Sequence, residues 1–160
     1  MNRQDSARIV RRSVTVPVSA DHAFEVFTGQ MTRWWSQANT FGKENYESVT
    51  VEPRSGGRWF ERAADGSTTD WGQVLVWEPP RRVVLTWQIT PQGLPEADPS
   101  KASVVEVRFE PEDSGTTRVE LEHREFDRHG AEGSSIWYGA MDSEEGGWSY
   151  FLNRYAQAFE

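Results

Sequence analysis

His123 is the polar residue whose position carries the most chemical information. It follows Val119 and Leu121 at alternate positions, so in a strand all three share one face. An imidazole on that face could anchor a polar group of a ligand or move a proton near neutral pH. A buried histidine bonded to a backbone carbonyl or a glutamate would fill the same place. With Tyr138 or Glu61 nearby, His123 would form the working pair of a cyclase or isomerase, and it is the best candidate for catalysis.

Other chemistries find less support. His22, His123 and His129 fall on a predicted helix, strand and loop, and no two have ligand spacing, so no metal site is expected. His22 and His129 are expected at the surface. There is no cysteine and no Gly-x-Ser-x-Gly elbow, which leaves nucleophilic catalysis without a candidate. Gly56-Gly57 and Gly146-Gly147 lack the lysine and hydroxyl residue of a phosphate loop, and no cofactor is expected. Glu120, Glu122 and Glu125 read as a solvated surface. Arg33, Arg58, Arg81 and Arg82 form either a local basic patch or scattered partners for the acidic excess.

The aromatic residues make the stronger case. Trp35, Trp59, Trp71, Trp87, Trp137 and Trp148 come from separate stretches of the chain. Aromatic walls with a few polar tips are what an apolar ligand site requires, while any one of these rings could equally fill core. As a set, with His123, Tyr138 and Leu152, they are expected to border a cavity for a small apolar molecule or lipid. Trp35 and the Trp137-Tyr138 pair are placed at its mouth. Eight Trp and eight Phe concentrate apolar mass in a few large rings, which fill a core less evenly than many smaller side chains.

Composition narrows the partners. Lys and Arg number 17 against 25 Asp and Glu, a formal net charge of -8. A surface of that sign repels phosphate backbones and anionic headgroups, so neither nucleic acid nor membrane is expected as a partner. No stretch approaches the roughly 18 apolar residues of a spanning helix, and Met1 to Arg12 has no apolar run of a signal peptide. The expected location is cytoplasmic.

The elements that must position these residues follow from periodicity. The first eight residues are polar and expected to be loose. Val10, Val14, Val16 and Val18 alternate as a strand does, with Pro17 at its end. Ser19 caps a short helix through Phe27, closed by Gly29; a second short helix or turn carries Met31, Trp34 and Trp35. Six strand candidates follow: Tyr46 to Glu52, Arg58 to Ala63, Trp71 to Trp77, Val83 to Ile89, Val105 to Phe109, and Val119 to His123. Asp65-Gly66, Pro79-Pro80 and Asp113–Gly115 supply turns between them. Gln92 to Ala102 reads as a loop with Leu94 at the surface, and Asp127 to Gly147 as a longer glycine-rich loop folded back onto the body. Trp148, Phe151, Leu152, Tyr155 and Phe159 recur at helical spacing on a stripe roughly 100° wide. No linker divides the chain, so residues 1–160 are expected to form one domain.

The order is strand, two short helices, six strands and an amphipathic helix, and short motifs run along it: Val14-Thr15-Val16-Pro17-Val18 with Ala23-Phe24, Met31-Thr32-Arg33-Trp34-Trp35, and Val51-Glu52-Pro53-Arg54 with Gly56-Gly57-Arg58-Trp59. They continue through Asp65-Gly66, Gly72-Gln73-Val74, Glu78-Pro79-Pro80-Arg81-Arg82 with Leu85-Thr86-Trp87, Thr117 to His123, and Gly147-Trp148. In this order they resemble the START-like or SRPBCC helix-grip superfamily, and within it the bacterial homologues of the activator of heat-shock-protein-ninety ATPase. The resemblance implies an α+β domain: a curved antiparallel sheet of six to seven strands around a long C-terminal helix, with a cavity between them. It implies binding of a small apolar molecule first. A cyclase- or isomerase-type enzyme, and a chaperone-type protein-interaction module, are the alternatives within the superfamily.

Overall fold

The computed structural model describes residues 8–160, and the expectation of a loose start at residues 1–8 lies, apart from Arg8, outside them. Strand β1 (Val10–Val16) leads through helix α1 (Ala20–Gly29) and the single turn α2 (Met31–Trp34) to strands β2 (Tyr46–Val51), β3 (Arg58–Ala63), β4 (Thr68–Glu78), β5 (Arg82–Trp87), β6 (Ser103–Glu112) and β7 (Thr116–Arg124). Helices α3 (Gly130–Asp142) and α4 (Trp148–Gln157) complete the chain.

Among the described residues the strands form one seven-stranded antiparallel sheet in the order β1-β7-β6-β5-β4-β3-β2. From β2 to β7 it is a meander of adjacent strands. The first strand then joins the far edge, with Val10 opposite His123 and Val16 opposite Thr117. Alternation sets the faces: Val105, Val107 and Phe109 of β6 and Val119, Leu121 and His123 of β7 are buried on the concave side. The outer side carries Glu106, which accepts from Arg82 (3.0 Å), Arg108 (2.9 Å) and Arg124 (2.7 Å). Burial works against this carboxylate's charge, but the three guanidiniums outweigh it and hold its pKa below the ordinary value. Here the arginines pair with the acidic excess rather than making a basic patch; Arg58 likewise pairs with Asp70 at 2.7 Å.

The sheet curls where β4 changes partners. Its first half pairs with β3 and its second with β5, with register shifts on both sides. Gly72 sits at the change: a Cβ there would collide with the Thr86 carbonyl. Only a glycine lets the two backbones approach so closely, and the bend follows.

Helix α1 begins as its sequence dictates, the Ser19 hydroxyl accepting from the His22 amide at 3.3 Å. Helix α4 buries Trp148, Phe151, Leu152 and Tyr155 against the concave face, and the Tyr155 hydroxyl donates to the Ala23 carbonyl at 2.8 Å. That bond ties the two helices together across the open side of the sheet. Gly147 precedes α4 because a side chain there would strike the Met141 carbonyl.

One expectation is corrected. Asp127 to Gly147 is not a loop: a 3-10 turn (Phe126–His129) runs into the thirteen-residue α3. Its glycines lower helix propensity, but Gly133, Ser134 and Met141 bury one side of it and tertiary packing overrides propensity. The segment does fold back onto the body, as expected. Trp77 is half-buried, edge-on to Phe24 at 5.0 Å, and Leu94 is exposed.

Candidate functional site

Trp35, Trp71, Trp87 and Trp137 line a cavity of about 330 Å³ on the concave side. Three of them are held by hydrogen bonds from their indole nitrogens. Trp35 lies flat on Phe151, ring centroids 4.2 Å apart and planes 9° from parallel, and its Nε1 donates to the Asn39 carbonyl at 3.1 Å. Trp71 packs against Trp35 at 4.9 Å and donates to the Glu61 carboxylate at 2.8 Å. Trp137 comes from α3, stands perpendicular to Trp87 at 5.3 Å, and donates to the Ile89 carbonyl at 2.9 Å.

Glu61 is the anchor of the rim. It is 2% exposed and accepts from the amides of Phe41 (2.7 Å) and Gly42 (2.8 Å) as well as from Trp71. One carboxylate therefore ties the segment after α2 to the cavity wall. That segment brings Asn39, Thr40, Phe41 and Lys43 to the lining. Lys43 adopts φ 50°, and its ammonium donates to the Ala38 carbonyl at 2.7 Å.

The remaining expected site residues are not on this lining. Trp59, Trp148 and Leu152 are buried in the core behind it. Tyr138 packs edge-on against Phe126 at 5.7 Å. His123 is fully buried, covered by Phe126 in a stack at 4.2 Å. The pairing of His123 with Tyr138 or Glu61 is not assembled, because His123 and Glu61 are each engaged elsewhere. Ile89, Met141 and Phe151 line the cavity without having been singled out. Ile89 continues the alternation of β5 and Phe151 sits on the stripe of α4, so both were readable; Phe41 and Lys43 lie on a segment with no period.

His123 belongs to a hydrogen-bond chain instead. The Trp148 indole donates to Nδ1 at 3.0 Å, and an indole nitrogen can only donate. The proton of His123 is therefore on Nε2, which meets the Ser103 hydroxyl at 2.7 Å. That hydroxyl must then donate to His129 Nε2, at 2.8 Å. His129, expected at the surface, is half-buried because this bond and the Trp137 ring at 6.3 Å draw it inward.

Burial pushes the His129 pKa down to about 4, with Glu96 opposing, and pushes His123 well below its ordinary value, aided by His129. Unfolded histidines take up a proton near the ordinary value of 6.5 while the folded ones do not, so stability is complete above that pH and lost as it falls toward about 4. A loss of about 2 kcal/mol is expected across this window from His129 alone, allowing for its partial exposure. Urea midpoints at the two ends should show it, and His129→Gln should reduce the difference.

Two other hollows are polar. One of about 400 Å³ lies on the outer face beside the Glu106 ion pairs. Another, of about 490 Å³, borders His129 with Lys101, Arg128 and Glu96. Among the described residues no three His, Asp or Glu side chains gather as a metal ion would need, and no helix is long and apolar enough to cross a membrane.

A curled antiparallel sheet gripping a C-terminal helix over an aromatic hollow defines the START-like helix-grip class, and solved structures share the fold. The chain belongs to the family described as activator of Hsp90 ATPase homolog 1-like protein, which it matches over residues 17–160. It is similar to the anthrahydroquino-gamma-pyrone synthase Txn09, solved in complex with SUM: 37% identity over 96% of this chain and 97% of that one, TM-score 0.66. It is also similar to CalC, a self-sacrificing resistance protein from Micromonospora echinospora, at 26% identity over 94% and 93% of the two chains, TM-score 0.63. Protein MLL2253 from Mesorhizobium loti shares the fold at 20% identity over 93% and 94%, TM-score 0.64. No curated protein sequence gives a significant match.

Proposed function

We propose that this protein binds a flat, polycyclic aromatic molecule in the cavity walled by Trp35, Trp71, Trp87 and Trp137. The observation that carries this reading is the shape of the wall. The parallel Trp35–Phe151 pair and the perpendicular Trp87–Trp137 pair border the same hollow. Its volume is near the lower end of ordinary ligand sites, roughly 300–1,000 Å³, which suits a few fused rings better than a long acyl chain. Stacked and edge-to-face contacts favour aromatic guests beyond their buried area.

A second reading, a ring-closing cyclase, is favoured by the 37% identity to a pyrone synthase. Lys43 is the one ionisable side chain on the lining among the described residues. The wall would act mainly by holding a folded side chain against the ring system it attacks. The exposed large apolar residues among those described are Leu75 in β4, Leu94 in the loop after β5 and Ile136 in α3, a scatter along the chain that favours the small-molecule readings over a docking surface for a chaperone.

The test is thermal unfolding with anthracene-type probes and with palmitate. At a hundred-fold excess over the dissociation constant a bound probe stabilises by about 2.7 kcal/mol, roughly 5–10 °C for a chain of this size. Tricyclic probes should raise the melting temperature by that amount, and Trp137→Ala should abolish the rise. Stabilisation by palmitate but not by the tricyclic probes would overturn the reading.

A further inference from the structure

Polar groups free to meet a guest are confined to one stretch of the lining. The indole N–H groups of Trp35, Trp71 and Trp137 are engaged by protein, and that of Trp87 is buried. The Thr40 hydroxyl is occupied too, donating to the Gln37 carbonyl at 2.8 Å and accepting from the Lys43 amide at 3.0 Å. What is left is the Asn39 side-chain amide and the Lys43 ammonium, both exposed and both on the segment before β2. The Asn39 amide makes no hydrogen bond among the described residues. The ammonium holds one acceptor, the Ala38 carbonyl at 2.7 Å, out of the three that its hydrogens allow.

Lys43 is held on the rim in a backbone conformation, φ 50°, that a Cβ disfavours and that glycine or asparagine adopts more readily. Its carbonyl accepts from Gln37 Nε2 at 2.9 Å, and Glu61 grips the amide of Gly42 just before it. Strain of this kind persists where the surroundings enforce it, and it gathers at sites that bind ligands. The charge is as informative as the backbone. The chain carries a net -8, yet the one ionisable side chain on the lining is a cation, and it stands in no ion pair among the described residues. Glu61 is buried with its charge met by two amides and an indole. Glu44 and Glu145 adjoin lining residues without joining the lining. A unit charge acts over roughly 8–10 Å at ordinary salt. A hollow of about 330 Å³ is of comparable breadth, so a guest inside it feels the ammonium before touching it.

From this we infer that Lys43, together with Asn39, is a specificity determinant: it selects polycyclic aromatic acids, whose rings lie against the indole wall with the carboxylate at the Lys43 end of the hollow. The inference rests on the aromatic-guest reading above and narrows it from flat aromatics in general to those with an ionised acid on the ring system. The mobile stem of a lysine lets its ammonium leave the Ala38 carbonyl for the guest. A bond to an ionised acceptor is roughly twice as strong as its neutral counterpart, so a neutral guest of the same outline gains the stacking and little more.

The test uses a matched pair, anthracene-2-carboxylate and anthracene-2-carboxamide, titrated calorimetrically at neutral pH into the full chain, Lys43→Met and Lys43→Glu. In the unmodified protein at low salt the carboxylate should bind about fivefold more tightly, equivalent to about 1 kcal/mol and at the upper end for an exposed charge pair. Lys43→Met should bring the two affinities within about twofold by weakening the carboxylate alone, and Lys43→Glu should favour the carboxamide. Equal affinities in the unmodified protein, or a carboxylate preference that survives Lys43→Met, overturn the inference while leaving the cavity reading intact; failure of both probes to bind overturns the cavity reading instead. Should the variants not fold, ionic strength decides in the unmodified chain. The carboxylate preference should shrink to within about twofold in roughly 1 M salt, where the screening length is about 3 Å, and a preference that salt leaves unchanged would refute the selection.

Discussion

Glu61→Ala should lower the stability of the fold by about 4 kcal/mol, at the upper end of what single substitutions do. The carboxylate is 2% exposed and accepts from Phe41 N, Gly42 N and Trp71 Nε1. Removing it leaves three donors at once. An unsatisfied buried donor costs about 1–3 kcal/mol, and the two amides lie in a part-buried segment that water can partly reach, so the total falls below the simple sum. Glu61→Gln keeps the shape but turns an N–H₂ toward at least one donor, and should lose about half as much. The midpoint of urea unfolding should fall with little change in slope. Because the same carboxylate joins the Phe41 segment to Trp71, affinity for a tricyclic probe should drop at least as much as it does in Trp137→Ala. A loss below about 1 kcal/mol would mean that water replaces the carboxylate freely and that Glu61 is not the anchor.

Trp35→Ala should be comparably severe. The ring is 3% exposed and has five aromatic neighbours: Phe151 stacked at 4.2 Å, Trp71 at 4.9 Å, Trp34 at 5.7 Å, Trp148 at 6.2 Å and Trp59 at 6.4 Å. Large-to-small changes of this kind cost about 3–5 kcal/mol. Trp35→Phe retains the stack on Phe151 and loses the bond to the Asn39 carbonyl, so about 1–2 kcal/mol is expected. Binding should separate the two. The alanine variant enlarges the cavity and removes a face from it, whereas the phenylalanine variant should keep most of its affinity for flat probes. If Trp35→Ala binds as well as the parent, the Trp35–Phe151 pair is not the surface on which the guest lies.

How much of this could be read in the chain depends on the range of the signal. Alternation in Val83-Leu85-Trp87 and in Val119-Leu121-His123 marks both the strands and their buried faces. The Ser19 cap and the Asp65-Gly66 hairpin are local and legible for the same reason. Helix α3 was hidden because its glycines suppress the propensity signal, although Gly133, Trp137 and Met141 already stand one helical turn apart. His123 was placed on the correct face, but facing the concave side does not tell what covers it. Phe126 and Trp148, which cover it, are brought in by the turn before α3 and the start of α4. The rim was the least legible part. Residues 36–45 form two 3-10 turns with no period, and their position is decided by Glu61, some twenty residues further on.

The strand order has a consequence for how the chain comes together. Hairpins from β2 to β6 join neighbours in sequence and can form as they leave the ribosome, but β1 finds its partner only when β7 has been made. Long-range pairings of this sort are slow, and unpaired edges are exposed to other chains while they wait. The waiting strand carries Arg11 and Arg12 in its middle, charges of the kind that discourage a nascent edge from joining a stranger. The last pieces to arrive, α3 and α4, deliver Trp137 and Phe151, so the hollow is roofed only after every strand is in place.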